Sequence, residues 1–408
     1  MSKRKLLFIA SDYKPKEGGR ADFIDNLARG LIRIGCDTKV LAVVQSHQKA
    51  RLEFLKHYEE WVIPFQVMHD ERPRNWLGNK FVSLLEIVRC LSPKARRVLE
   101  KTSYFRGSAD SLARLERVLA DEKPTMIIFG HLDTRLYPFA LFFLERNLPY
   151  GILAHGVDFP YLPGRKNDLI RKGTVIKNAE WIAANSTYTR SLLEEWKLPC
   201  DRIKIVHPPI AEEAIRHSSN SNGVHGATHE LRLVSLCRLV KGKGIHLVLR
   251  ALGILDTKRI PFQYVVGGEG AERPFLEALV DELGLRNRVR FAGYVNGEDK
   301  WTLLQNSDVF VLPSRFEGFG IAFIEAAAFG LPAVGTRDAG IPEAVLDGET
   351  GVLVAPDSPE DLAEALTFFY RNPEKMAQMG KAGMERARRQ FSPTAVAANF
   401  QKTILENI

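Results

Sequence analysis

Glu317 and Glu325 stand eight positions apart in the stretch "FEGFGIAFIEAAAFG". Glu317 sits among glycines, whereas Glu325 sits inside an almost wholly apolar run. Burying an unpaired carboxylate costs several kcal/mol, roughly. Glu325 therefore needs either a protein partner or a ligand that supplies one. Carboxylates so placed can accept hydrogen bonds from sugar hydroxyls. A buried structural salt bridge is the plain alternative for Glu325. Upstream, "RLVKGKG" puts Arg238 and Lys243 around a glycine-bearing turn. Two cations on a short loop before a helix suit a diphosphate, with Arg able to bind oxygens in a bidentate way. A solvated basic turn would look the same. In "GGEGAER", Gly267, Gly268 and Gly270 could let a ligand approach the backbone, or simply make a tight turn. Gly318 and Gly320 flank Phe319 before the helix that carries Glu325, whose N-terminus could host an anion. A diphosphate site, glycine-rich approaches and two hydroxyl-binding carboxylates together describe a nucleotide-sugar pocket.

The elements that must position these residues are short apolar strands alternating with helices. "KLLFIAS", a loop, the helical "RADFIDNLARGLIRIG" and "TKVLAVV" form a β–loop–α–β unit, which favours a parallel sheet. Further strand candidates are "TMIIFG" (125–130), "YGILAH" (150–155), "WIAAN" (181–185) and "KIVH" (204–207). Residues 76–120 read as helical and basic. Residues 211–230, "AEEAIRHSSNSNGVHGATHE", read as a polar linker or exposed loop. Then the alternation restarts with "LRLVSLC", "FQYVVGG", "RVRFAG", "DVFVLPS" and "PAVGT". Two α/β domains are expected, which suits 408 residues. Ligands in such sheets bind at the carboxyl ends of the strands, where all three junctions fall.

Composition narrows the partners. Residues 1–200 hold 33 Lys and Arg against 23 Asp and Glu, so the first half is the basic one. Basic surface can attract nucleic acid, anionic lipid or an anionic substrate. No apolar run is long enough to span a bilayer, and "KLLFIAS" reads as a strand, not a secretory signal. Cys36, Cys90, Cys200 and Cys237 lack metal-type spacing and suggest reduced thiols in a cytoplasmic protein.

These motifs resemble glycosyltransferase family 4. "RLVKGKG", "GGEGAER", the E-x7-E element "EGFGIAFIE" and "AAAFGLPAVGTRDAGIPEAVLDGETGVLV" carry the resemblance in the second half. "EGGRADFIDNLARGLIRIGCDTKVLAV", "ILAHGVD" and "NAEWIAANSTYTRSLLEEW" carry it in the first. The likeness implies the GT-B fold, an α/β architecture of two Rossmann-like domains whose parallel sheets face a central cleft. It implies an acceptor-side domain over 1–210, a donor-binding domain over 225–390, and a terminal helix near 391–408 packing back on the first. Arg238 and Lys243 would bind the donor diphosphate and stabilise the departing phosphate. Glu325 would accept the ribose hydroxyls, and Glu317 would lie near the transferred sugar. Phe319 and Gly320 would offer backbone groups. His155 would face the sugar and acceptor, although a histidine at a strand end is more often a structural hydrogen-bonder. Gly18 and Gly19 would let the N-terminal loop approach the donor phosphates or acceptor. Tyr294 and Val295 would border the base. Cys237 departs from the pattern, which has Ser before the arginine.

The implied reaction is retaining transfer of a hexosyl group from a UDP- or GDP-sugar to a glycan or a lipid-linked, anionic acceptor. No D-x-D triplet is present, so cationic side chains are expected to replace a metal, with no other cofactor. Envelope polysaccharide or glycolipid synthesis is the implied setting. The basic stretch 76–106 could rest on the inner face of an anionic membrane; no nucleic-acid partner is expected. Rival readings are a nucleotide-sugar epimerase or phosphorylase on the same fold, or a non-catalytic binding relative.

Overall fold

The computed structural model describes residues 4–14, 18–45, 48–67, 103–132, 136–156, 173–195, 197–218 and 230–407. Most of the basic stretch 76–106 and the linker residues 219–229 therefore lie outside the described residues, as do Val157 and Asp158 of the "HGVD" element.

The chain divides into two compact units. The first comprises Met1–Ala154, Pro160–Ala183 and Glu194–Lys204. Its seven-stranded sheet has the order β3-β2-β1-β4-β5-β6-β7, from β1 (Lys5–Ala10), β2 (Asp37–Gln45), β3 (Val62–Val67), β4 (Met126–Phe129), β5 (Tyr150–Ala154), β6 (Trp181–Ala184) and β7 (Ile203–Ile205). β1 pairs in parallel with both β2 and β4. The central strands are apolar throughout because helices cover both faces of a parallel sheet; every residue of β4 and β5 is buried. On the helix Gly19–Arg33, Phe23, Ile24, Leu27, Ala28 and Leu31 recur at helical spacing and are fully buried. "KIVH" begins one residue late and runs two residues too far as a strand reading, since β7 spans Ile203–Ile205. β3 escaped the sequence reading because Pro64 interrupts it; as the edge strand, it tolerates a missing donor.

The second unit comprises His155–Phe159, Ala184–Leu193 and Ile205–Ile408. Its six-stranded sheet has the order β10-β9-β8-β11-β12-β13, from β8 (Leu231–Leu236), β9 (Phe262–Gly267), β10 (Val289–Gly293), β11 (Val309–Leu312), β12 (Ala333–Thr336) and β13 (Gly351–Val354). Its neighbouring strands pair in parallel. The strand order reverses between β8 and β11, so a crevice is expected at their carboxyl ends. At the opposite ends, Arg232 clamps Asp308 through two side-chain bonds of 3.0 and 2.6 Å. Beneath the carboxyl ends, the buried Ser235 hydroxyl joins Tyr264 Oη at 2.6 Å and donates to the Val311 carbonyl, crossing three strands.

The expected linker is not all loop. Glu212–Ser218 is a helix, with Glu212 and Glu213 in its first turn and Arg216 and His217 in its last. That charge order suits the helix dipole, and Ala214 and Ser218 face inward one turn apart.

Candidate active site

The loops after β8, β9 and β11 are laced together by their backbones. Cys237 N–H donates to the Gly267 carbonyl at 3.0 Å, Leu239 N–H to Glu269 at 2.9 Å, and Glu272 N–H to Leu239 at 3.0 Å. Gly268 has φ +141°, and a Cβ there would lie 1.8 Å from the Cys237 carbonyl oxygen. A Cβ on Gly270 would lie 2.2 Å from the Leu239 oxygen. What these glycines admit is the close approach of the neighbouring loop. On the other flank, Arg315 N–H donates to Gly242 at 2.8 Å, and a Cβ on Gly244 would meet the Pro313 oxygen at 2.4 Å.

This lacing gathers the charged side chains. Lys243 is paired with Glu317, each about four-fifths buried. Arg238 is exposed, and its side chain is in no ion pair among the described residues. All three act on the half-buried Cys237 thiol, which is pushed up to about 12. Burial is the main cause and Glu317 adds to it, while Lys243 and Arg238 oppose it. The thiol is therefore protonated at neutral pH, and its role is packing.

The turn after β11 carries the first carboxylate. Phe316, immediately before Glu317, is 65% exposed and has φ +61°, an uncommon backbone for a side-chain-bearing residue. Arg315 steadies it, its guanidinium 5.3 Å from the Phe316 ring centroid and bonded to Asp338 at 2.8 Å and Asp357 at 2.5 Å. Gly340 N–H donates to the Glu317 carbonyl at 2.9 Å. The Phe319 side chain is buried, 5.1 Å from the His207 ring and 5.5 Å from Phe391. Gly320, at φ +99°, starts the helix Ile321–Ala328.

His155 is buried at the end of β5 and groups with the second unit. Gly156 N–H donates to Thr189 Oγ1 at 3.0 Å, and a Cβ on Gly156 would come within 2.9 Å of Gly318 Cα. The His-Gly step thus abuts the turn that bears Glu317. Val295 packs beside Gly267, where an added Cβ would lie 2.7 Å from its Cγ2, and Tyr294 is 60% exposed. Gly18 and Gly19 belong to the first unit. Gly18 has φ +141° and no atom within 4 Å of a built Cβ; its N–H donates to Asp22, which also holds Lys14 at 2.7 Å.

Glu325 has a protein partner. Lys300, from the helix Gly297–Gln305, donates to both of its carboxylate oxygens, at 2.8 and 2.7 Å. Sequence reading missed Lys300, because nothing in "GEDKWTLL" marks a partner 25 residues away. It also missed Glu343. That carboxylate accepts from Thr187 N–H at 2.7 Å and pairs with His207 Nε2 at 3.0 Å. Burial pulls its pKa up, but the bonds from His207 and Thr187 outweigh it and hold it below the usual carboxylate value. The only available signal was its place in "AGIPEAV", inside the longer signature.

Among the described residues, no three His, Cys, Asp or Glu side chains are grouped to hold a metal ion. No described helix is long and apolar enough to cross a membrane.

Comparison with known proteins agrees with this layout. Residues 18–214 match Glycosyltransferase Family 4, and residues 221–386 match Glycosyl transferases group 1. The GDP-mannose-dependent alpha-(1-6)-phosphatidylinositol monomannoside mannosyltransferase of Mycolicibacterium smegmatis is 28% identical over 391 residues, covering 93% of this chain and 92% of that protein. Several other curated relatives are matched over about half their length. D-inositol 3-phosphate glycosyltransferase of Corynebacterium aurimucosum is 30% identical, with 57% of each chain covered. Anabaena HepE, solved in complex with UDP, superposes with a TM-score of 0.71 at 17% identity, covering 99% of this chain and 100% of HepE. The two parallel sheets, the match across both halves and the placement of the motif residues make this chain a member of the GT-B glycosyltransferases of group 1 and family 4.

Proposed function

We propose that the enzyme transfers a hexosyl group, with retention of anomeric configuration, from a UDP- or GDP-sugar to a glycan or lipid-linked acceptor. The observation that carries this reading is the charge arrangement at the carboxyl ends of β8 and β11. There an exposed Arg238, in no ion pair among the described residues, lies beside the Lys243–Glu317 pair. A lysine ammonium has three N–H donors. One on Glu317 leaves two for a phosphate. Arg238 offers a planar fork that fits two phosphate oxygens.

In the reaction, the bond between the anomeric carbon and the β-phosphate oxygen breaks, and an acceptor hydroxyl oxygen bonds to that carbon on the same face. The hydroxyl proton passes to the departing phosphate. Negative charge grows on the phosphate oxygens, where Arg238 and Lys243 offset it. Glu317 fixes the Lys243 ammonium and lies near the transferred sugar. His155 lines the sugar side, and Glu325 takes the ribose hydroxyls. Because these cations supply the charge that a divalent metal otherwise would, activity is expected without one. The basic first half suits an anionic acceptor, including one held at a membrane surface.

The names of relatives support a nucleotide-sugar donor: one is GDP-mannose-dependent, and HepE was solved with UDP. The test is incubation with UDP-glucose and GDP-mannose in excess chelator, following release of the nucleoside diphosphate and the anomeric proton of the product. An α-linked product from an α-donor supports the proposal. Hydrolysis or epimerisation with no product linked to acceptor favours the rival enzyme readings.

A further inference from the structure

Glu343 lies on the short helix Ile341–Ala344, and its backbone is pinned, since Arg386 donates to the Glu343 and Ala344 carbonyls. Its carboxylate is 22% exposed and has two neighbours that lead in different directions. One oxygen accepts from the N–H of Thr187, the first residue of the helix Thr187–Glu194. A helix leaves that N–H without a partner of its own, and an anion there suits the helix dipole. Two residues on, the fully buried Thr189 hydroxyl accepts from Gly156 N–H at 3.0 Å and from the Ser186 hydroxyl at 3.2 Å, and it donates to Asn185 Oδ1 at 2.6 Å. One donor and two acceptors exhaust a hydroxyl, so Gly156, next to His155, is tied to this helix. The other Glu343 oxygen pairs with His207 Nε2 at 3.0 Å. The His207 ring lies 5.1 Å from Phe319, and both rings meet Phe391, at 5.9 and 5.5 Å. The same turn is braced along its backbone, where Gly340 N–H donates to Glu317 and a Cβ on Gly340 would lie 2.2 Å from the Gly318 oxygen. The two branches meet again, because a Cβ on Gly318 would lie 3.2 Å from both Asn185 Nδ2 and Gly156 N. Every residue joined in these two branches belongs to the second unit.

We propose that Glu343 is a positioning residue of the transfer site. Through Thr187 and Thr189 it sets the His155–Gly156 step, and through His207 and Phe319 it sets the turn that bears Glu317. One carboxylate thereby fixes the spacing of two groups on the sugar side. This rests on the reading that His155 and Glu317 line the transferred sugar. Arg238 and Glu325 hold the nucleotide from outside this ring of contacts, so loss of Glu343 falls on rate and not on nucleotide affinity. A shift of about 1 Å at the reacting groups costs up to about 100-fold in rate.

The test follows release of nucleoside diphosphate from UDP-glucose and GDP-mannose by the parent, Glu343→Ala, Glu343→Gln, Thr187→Pro and His207→Leu. Calorimetric titration with UDP and GDP on the same preparations gives the affinity and the fraction of binding-competent protein. Glu343→Ala is expected to lower kcat per binding-competent site by about 10- to 100-fold, with nucleotide affinity within about twofold of the parent. Glu343→Gln keeps an acceptor for Thr187 N–H and a polar partner for His207, and is expected to return kcat to within about fivefold. Thr187→Pro removes one branch at a helix position that accepts proline, and His207→Leu removes the other. Each is expected to lower kcat by less than Glu343→Ala, again without loss of affinity, and the two serve if Glu343→Ala does not fold. A kcat per site within about threefold of the parent in Glu343→Ala, or in both branch variants, overturns the proposal. So does an equal loss of rate and affinity, or a Glu343→Gln no better than Glu343→Ala; Glu343 is then a strut for stability alone. If the parent releases neither nucleotide, or His155→Ala and Glu317→Ala keep its kcat, the reading beneath fails and the proposal falls with it. Failure of the inference alone shows as a rate lost in those two variants but kept in Glu343→Ala.

Discussion

The ammonium of Lys243 is paired with the carboxylate of Glu317, joining the loop after β8 to the turn after β11. Both residues belong to the proposed chemistry, so each also sets the other's position and charge. Lys243→Ala should lower kcat by about 100- to 1000-fold, as loss of a charge-stabilising donor does. Lys243→Arg should recover part of it. Steady-state kinetics on both variants checks this, and a kcat within about threefold of the parent for Lys243→Ala contradicts a role at the leaving phosphate.

Glycine positions separate two causes of strain. Gly18 and Gly268 share φ +141°, but only Gly268 has a carbonyl oxygen within 1.8 Å of a built Cβ. Gly18→Ala should cost about 1–3 kcal/mol from backbone strain alone. Gly268→Ala should cost clearly more, because Cys237 must also move. Urea midpoints of the two variants give the comparison. Equal costs would mean that the lacing of the loops after β8 and β9 is loose.

Glu343 provides a pH test. Its folded pKa lies below the ordinary value, so its contribution is present above the unfolded pKa, about 4.3. That contribution is lost as pH falls through the folded value. Glu343→Gln should therefore be less stable than the parent at pH 7, and the gap should close in acid. The carboxylate faces His207 and Thr187 N–H, and Arg386 donates to the Glu343 and Ala344 carbonyls at 2.5 and 2.8 Å. Thermal melts of both proteins from pH 7 to pH 3 supply the measurement; a gap that widens in acid contradicts the assignment.

The Cys237 thiol, pushed up to about 12 mainly by burial, should react slowly with iodoacetamide at pH 7.5. Among the described cysteines, the exposed Cys200 should be labelled first. Glu317→Gln should speed labelling of Cys237, and Lys243→Met should slow it, because the two charges act on the thiol with opposite signs. Peptide mapping by mass spectrometry resolves the sites. Cys237→Ser should keep activity within about threefold, as the arginine beside it carries the charge.

Much of this architecture was legible in the chain. Apolar runs such as "DVFVLPS" and "YGILAH" specify buried parallel strands, because no alternation is needed when both faces are covered. The three charged or glycine-rich junctions fall after strands, and the structure laces them together. What could not be read were relations between distant segments. Pro64 hid an edge strand, since the tolerance of proline depends on having no neighbour on one side. Glu212–Ser218 looked like linker because its inward face is only Ala214 and Ser218. Gly268 and Gly270 signalled close approach without saying by what. Glu325 announced that it needed a partner, yet Lys300 appears only when two helices are packed together.

The most direct test of the account is the thermal midpoint of the parent and of Arg238→Ala with UDP, GDP, ADP or buffer alone, in chelator. Selective ligand binding raises apparent stability once ligand exceeds its dissociation constant. A clear rise with one nucleoside diphosphate in the parent, lost or strongly reduced in Arg238→Ala, is the predicted result. No rise with any of them, or an equal rise in both proteins, would contradict a diphosphate site built on Arg238 and Lys243.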